Sequence, residues 1–101
     1  MAFICLLTVH LHLPGNADLK GKRKQVKSLK AQLQQRFGVS VAETDHHDLW
    51  QRATLSVALV ARDRGGAEQR ADAVERFTAS RLGDWVTVDR RVVSATDLED
   101  H

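Results

Sequence analysis

Five cationic side chains lie together on one side of a helix predicted over residues 18–37. On a helical wheel drawn at about 100° per residue, they occupy an arc of roughly 120° beside an apolar stripe. Such a surface can bind phosphates or an acidic partner, although a solvated lysine-rich helix has the same pattern. We call these five residues the basic flank: Lys20, Arg23, Lys24, Lys27 and Lys30.

The charge of the chain is separated along its sequence. The chain has 101 residues and a net charge of +2. Residues 18–37 hold seven of the 15 basic residues and one of the 13 acidic residues, so this segment carries +6 and the remainder carries −4. The separation favours a polyanionic or acidic partner for the helix, although a solvated lysine-rich helix is the commoner meaning of such a charge run.

Trp50 and Arg52 lie two residues apart in a predicted strand, and would therefore share one face of the sheet. An indole ring can stack on a nucleobase and a guanidinium can bind a phosphate, so both residues are candidates for nucleic-acid binding. The alternative is that Trp50 packs at a sheet edge or at a subunit contact.

Two histidines on one strand raise the question of a metal site. His10 and His12 would share a face, and a metal ion could bridge them if His46, His47 or Asp48 came near. However, no third ligand stands at a defined spacing. We therefore expect polar residues on a solvated sheet face, with no bound metal and no cofactor.

Three acids surround the predicted turn after the second strand. Glu43, Asp45 and Asp48 could hold a cation or act as general acid and base. A solvated turn, in which the carboxylates accept hydrogen bonds from backbone amides, explains the same residues more simply.

No pattern in the chain assembles a catalytic site. The phosphate-binding patterns GxxxxGK and GxGxxG are missing, and the serines carry no nucleophile signature. The single cysteine, Cys5, cannot form an internal disulfide and is expected to be buried in an apolar run. We therefore expect no catalytic residues, and a metal-dependent hydrolase built from the histidines and acids is a distant alternative.

The elements that position these residues follow from the spacing of apolar side chains. Alternation predicts strands, and repeats of three and four residues predict helices. The first helix would bury Val26, Leu29, Leu33 and Phe37. The predicted strands are residues 3–13, 39–44, 49–61 and 85–93, and the second helix is predicted over residues 67–82.

The ends of these elements carry further expectations. Asp18 would cap the first helix, and Gly38 would end it in the left-handed conformation. The stem of Lys22 would lie over the sheet while its ammonium reaches water. Residues 63–66 are predicted to form a loop. We expect one domain over residues 1–95 and an acidic tail over residues 96–101, with low order beginning at residue 94.

The predicted order of strand, helix, strand, strand, helix, strand belongs to the ferredoxin-like class of α+β folds. Right-handed crossovers then give an antiparallel sheet ordered 4-1-3-2, with both helices on one face. The other face would be partly apolar, at Ile4, Leu6, Ala58 and Val60. A homodimer joined through this face is therefore a second expected partner.

The beginning of the chain bears on its location. The first 13 residues are apolar, but they lack a charged leading region, a long unbroken core and a cleavage site of small residues. We expect no signal peptide and no membrane span, and therefore a cytoplasmic protein.

Three blocks of sequence carry a family resemblance: LKxKR from Leu19, RFxVSVAE from Arg36 and DxWQRA from Asp48. With them the chain resembles the small bacterial YlxP-like family of unknown function, closely over residues 3–63 and loosely beyond. The family usually has serine where Asp18 stands here, and both residues supply a capping oxygen. The resemblance implies a ferredoxin-like fold. Its members tend to be encoded near translation-initiation and ribosome-maturation factors, which implies RNA or ribosome work, and it supplies no catalytic residues.

These observations lead to two functional expectations. The first is a non-enzymatic module that binds RNA or a ribosomal particle through the basic flank, together with Trp50 and Arg52. The alternative is a homo-oligomeric structural or regulatory domain joined through its uncovered sheet face, in which the basic flank is merely solvated.

Overall fold

Four strands and two long helices follow one another in the order β-α-β-β-α-β. The structure, a computed structural model, describes residues 1–99. A short 3-10 turn, Gly83–Trp85, precedes the last strand. The elements are β1 Phe3–His12, α1 Leu19–Phe37, β2 Ser40–Asp45, β3 Arg52–Ala61, α2 Arg64–Leu82, β4 Val86–Ser94 and α3 Ala95–Glu99. This arrangement confirms the predicted ferredoxin-like α+β fold.

The sheet is antiparallel and ordered β2-β3-β1-β4, which confirms the predicted order. β1 pairs with β3 from Phe3 opposite Ala61 to His12 opposite Arg52. Because successive side chains on a strand point to opposite faces, β1 buries alternate residues against the helices. Cys5, Leu7 and Val9 are fully buried in this way. The core therefore lies between one sheet face and the two long helices.

The apolar stripe of α1 and the capping residues at its two ends favour a helix over the same residues. The carboxylate of Asp18 accepts a hydrogen bond from the amide of Gly21 at 2.7 Å, and Gly38 ends the helix with a φ of 60°. Both predicted caps are confirmed. Val26, Leu29 and Leu33 are buried as predicted, because a stripe at this spacing keeps one side of a helix on the sheet.

α2 begins three residues earlier than predicted. Residues 63–66 form no loop, because Asp63 caps the helix and accepts a hydrogen bond from the amide of Gly66 at 2.6 Å. The two glycines therefore lie in the first helical turn. The helix buries Ala67, Ala71 and Val74.

Two further boundaries differ from the prediction. β3 begins at Arg52, and residues 49–51 belong to the turn that connects it to β2. Ala95–Glu99 form the short helix α3, where the sequence predicted low order, and the remainder of the predicted tail lies outside the described residues.

The sheet face that the helices leave uncovered, called here the open face, has two chemically distinct ends. Near one end, Ile4 lies between Val60 and Val93. Toward the other end, His10 lies between Thr54 and Thr87. Thus the open face runs from an apolar end to a polar end.

Among residues 1–99, no helix combines the length and the apolar character that crossing a bilayer requires.

Candidate functional site

The basic flank forms a cationic surface on α1. Lys20, Arg23, Lys24 and Lys27 are exposed and Lys30 is half-buried. Within residues 1–99, none of the five forms an ion pair with an acidic side chain. Four of them line a shallow recess over the first turns of α1, together with Asp18 and Gly21. The structure thus brings four of the five predicted cations together at one recess, and Lys30 is not among the residues that line it.

A buried asparagine fixes the position of this recess. The side-chain amide of Asn16 donates to the carbonyl oxygens of Asp18 at 2.8 Å and of Trp50 at 2.7 Å. At Gly21, a Cβ atom would stand only 2.6 Å from the Asn16 side-chain oxygen, so glycine permits this close packing. The first turn of α1 is therefore joined directly to the turn that precedes β3. Sequence analysis did not identify Asn16, whose only signal was its place in a Pro-Gly-Asn turn.

Lys22 does not belong to the solvated surface. The prediction that its ammonium reaches water is wrong, because the side chain is only 1% exposed. The ammonium donates to the carbonyl oxygens of His46 and His47, the latter at 3.2 Å, and lies 3.0 Å from a carboxylate oxygen of Glu43. This charge holds α1 against the turn between β2 and β3.

The prediction that Trp50 and Arg52 share a strand is wrong. Trp50 lies in the turn before β3 and is 53% exposed, whereas Arg52 is the first residue of β3 and is exposed. The structure nevertheless places both at one end of the sheet, where they line the same recess of about 520 Å³.

Two residues that sequence analysis did not assign to nucleic-acid binding complete this end of the sheet. His12 lies opposite Arg52 in the β1–β3 pairing, and Trp85 is 50% exposed in the 3-10 turn before β4. The two rings meet edge to face, with their centroids 5.5 Å apart. In the sequence, a second tryptophan at the start of a predicted strand was the signal that could have pointed to this site. We call the group the aromatic end: His12, Trp50, Arg52 and Trp85.

The other histidines have separate partners. His10 lies 3.2 Å from a carboxylate oxygen of Asp89, His46 bonds to the Thr54 hydroxyl at 2.9 Å, and His47 bonds to the Glu43 carbonyl oxygen at 3.0 Å. Within residues 1–99, no three His, Cys, Asp or Glu side chains are grouped so that they could hold a metal ion.

The acids around the turn also have individual roles. Glu43 lies beside Lys22, and Asp45 accepts a hydrogen bond from the amide of His46 at 2.8 Å. Asp48 lines the recess beside Trp50. Asp45 thus matches the predicted contact between a carboxylate and a backbone amide, whereas Glu43 binds a buried cation instead.

Cys5 and two of the serines have structural surroundings. Cys5 is fully buried, and this burial raises the pKa of its thiol, which disfavours the reactive thiolate. The hydroxyl of Ser56 bonds to Thr44, and that of Ser80 bonds to the Phe77 carbonyl oxygen. No serine among residues 1–99 is hydrogen-bonded to a histidine base.

Comparison with known proteins identifies relatives whose function is also open. A family model described as "Protein of unknown function (DUF503)" matches residues 4–92. "Uncharacterized protein YlxP" of Bacillus subtilis (strain 168) is 34% identical over 63 residues, which are 62% of this chain and 68% of that protein. The solved structure of "De novo designed protein Foldit4" is similar with a TM-score of 0.59 and 12% identity, over 93% of this chain and 98% of the designed chain. This last likeness bears on the fold alone.

Proposed function

Because the chain belongs to the DUF503 family of proteins of unknown function, we propose its function from its surface chemistry: it binds RNA, free or in a ribosomal particle, through the basic flank of α1. The observation that carries this proposal is the absence of acidic partners for the five cations within residues 1–99. Neighbouring like charges repel one another, and a phosphate backbone relieves that repulsion while it releases its own condensed counterions.

The local geometry supports a phosphate ligand. The recess over the first turns of α1 presents Lys20, Arg23 and Lys24 around backbone that carries no bulky side chain at Gly21. Lysine and arginine side chains on a helix surface can follow the irregular path of a phosphate backbone. The proposed role is that of a binding module rather than an enzyme. The buried thiol of Cys5 and the absence of a serine bonded to histidine among the described residues are in keeping with this role.

The test is the salt dependence of binding to a labelled single-stranded RNA, measured by fluorescence anisotropy. Five phosphate contacts predict a slope of log affinity against log salt of roughly −3.5. The double variant Lys24→Gln/Lys27→Gln should reduce the magnitude of that slope by about 1 to 1.5, because two contacts are lost. Both side chains are exposed, so the free energy of unfolding should change by less than about 1 kcal/mol.

A matched control separates the basic flank from net charge alone. Arg62 and Arg76 are exposed, form no ion pair with another described residue and lie outside the flank. The variant Arg62→Gln/Arg76→Gln therefore removes the same charge and should leave the slope nearly unchanged. RNA binding that is undetectable at low salt, or that responds equally to both double variants, would contradict the proposal.

A second candidate function has an observation of its own in its favour. Leu6 and Val60 are 44% and 61% exposed on the open face, and apolar side chains grouped on a surface commonly mark a contact with another protein. The candidate is a homo-oligomeric structural or regulatory domain joined through that face.

A further inference from the structure

We propose that the aromatic end is a stacking site for an unpaired ribonucleotide, so that the RNA bound by this protein is single-stranded where it meets the sheet. The inference rests on the proposed RNA binding for its ligand, but it uses residues on the opposite side of the sheet from the apolar stripe of α1. Trp85 and His12 are new to the site, and Trp50 and Arg52 acquire defined roles in it.

The shape of the aromatic end suits flat ligands. Two recesses, of about 450 and 520 Å³, adjoin there, and His12 and Arg52 line both of them. Trp85 lies on one recess and Trp50 on the other. A nucleobase can therefore lie against either indole, with its neighbour along the strand against the other.

Contacts to the backbone of Trp50 and to the ring of Trp85 help to position the two tryptophans. Trp85 follows Gly83, whose φ of 55° turns the chain sharply out of α2, and its ring meets the edge of His12. The backbone carbonyl of Trp50 accepts the hydrogen bond from Asn16, which fixes the turn that presents the indole. As whole residues, Trp50 and Trp85 nevertheless remain 53% and 50% exposed, which leaves area that a base can cover.

The charges around the recesses indicate where a phosphate can lie. Each recess has one carboxylate, Asp84 beside Trp85 and Asp48 beside Trp50, and the two recesses share Arg52, which can bind a phosphate. The phosphate is therefore expected at Arg52, between the two indoles. Arg52 also follows the turn that Asn16 joins to the first turn of α1, so this end of the sheet is tied to the helix that carries the basic flank.

This arrangement selects a single strand. In a duplex, both faces of each internal base are covered by neighbouring bases, and an indole cannot reach them. An unpaired base has free faces, and aromatic stacking accepts any of the four bases. The expected ligand class is therefore single-stranded RNA with little sequence preference at this site.

The chain offers a direct spectroscopic test, because it has two tryptophans and no tyrosine. In Trp50→Phe, Trp85 is the only indole, and stacking should quench its fluorescence. We expect quenching by adenosine monophosphate and by an oligoadenylate about eight nucleotides long, and none by a duplex of equal length. Trp85→Ala should weaken oligoadenylate binding by about 5- to 100-fold without changing the salt slope, because no phosphate contact is lost.

Two controls keep the result interpretable. Trp85→Phe preserves a stacking face and should retain most of the affinity, which distinguishes stacking from a folding defect in Trp85→Ala. Arg52→Gln should weaken binding, whereas Arg62→Gln, just beyond the opposite end of β3, should not. A thermal melt of each variant establishes that it is folded.

The outcomes separate this inference from the proposed function. If the Trp85 signal responds to adenosine monophosphate while Lys24→Gln/Lys27→Gln leaves the salt slope unchanged, the stacking site stands and the basic flank does not bind RNA. If RNA binds with a steep salt slope but the Trp85 signal does not change, the stacking site is wrong and the basic flank stands. Equal affinity for single strand and duplex, with unaltered binding by a folded Trp85→Ala, would likewise overturn the inference.

Discussion

Lys22 shows how one side chain can organise the neighbourhood of a site without touching a ligand. A buried ammonium is costly unless it is paired and hydrogen-bonded, and here two carbonyl oxygens and one carboxylate surround it. All three acceptors come from residues 43–47, at the end of β2 and in the turn after it. Lys22 therefore holds that turn, which continues to Trp50, against the first turns of α1.

We expect Lys22→Met to destabilise the fold by about 2–4 kcal/mol, because the Glu43 carboxylate and the two carbonyl groups lose their cation. Urea denaturation followed by circular dichroism measures this loss. Lys24→Met is the matched control, since Lys24 is exposed on the same helix and its replacement should change stability by about 0.5 kcal/mol or less. Adding Glu43→Gln to Lys22→Met should restore part of the loss. Equal stability of the two single variants would show that the buried contacts contribute little.

The start of α2 depends on one capping side chain. Asp63 caps the helix through its 2.6 Å contact with the amide of Gly66, and a Cβ atom at Gly66 would lie only 2.9 Å from that same carboxylate. Glycine at this position thus permits the cap. The pair Gly65-Gly66, which favours a loop when read by itself, is here part of a helical turn.

Asp63→Ala should therefore cost about 1 kcal/mol, or roughly 4–8 °C in Tm for a domain of this size. Asp63→Asn retains an oxygen acceptor and should cost much less. Differential scanning calorimetry of the two variants decides the matter, and an unchanged Tm in Asp63→Ala would mean that the cap does not stabilise α2.

The elements that sequence analysis predicted well are those whose own side chains determine them. The alternation of apolar residues predicted the buried face of β1. The spacing of Val26, Leu29 and Leu33 predicted the buried side of α1. The errors concern contacts between distant segments. Trp50 continues the alternation of β3, and its place in a turn depends on Asn16, 34 residues away. The burial of Lys22 likewise depends on carbonyl groups that only the folded chain brings near.

At the scale of the whole molecule, the proposed binding sites lie on separate surfaces. The basic flank lies on α1, and the aromatic end lies where β1 and β3 meet the turns. The apolar end of the open face lies at the other end of the same strands, around Ile4 and Val60. An RNA strand on the first two surfaces would leave the third free, so RNA binding and self-association are compatible in this fold.

We expect the apolar end to join two copies in a symmetric dimer. A two-fold contact brings a patch against its own copy, which suits an apolar patch better than a surface of one charge. Leu6 and Val60 are 44% and 61% exposed, so α3 does not cover them. Multi-angle light scattering at high micromolar concentration should give twice the chain mass of 11.3 kDa, and Val60→Lys should give the monomer because a charge would be buried. Arg62→Gln, two residues after Val60 and just beyond the end of β3, should remain dimeric. A monomer in the parent protein at that concentration would exclude the dimer and, with it, the oligomeric alternative to RNA binding.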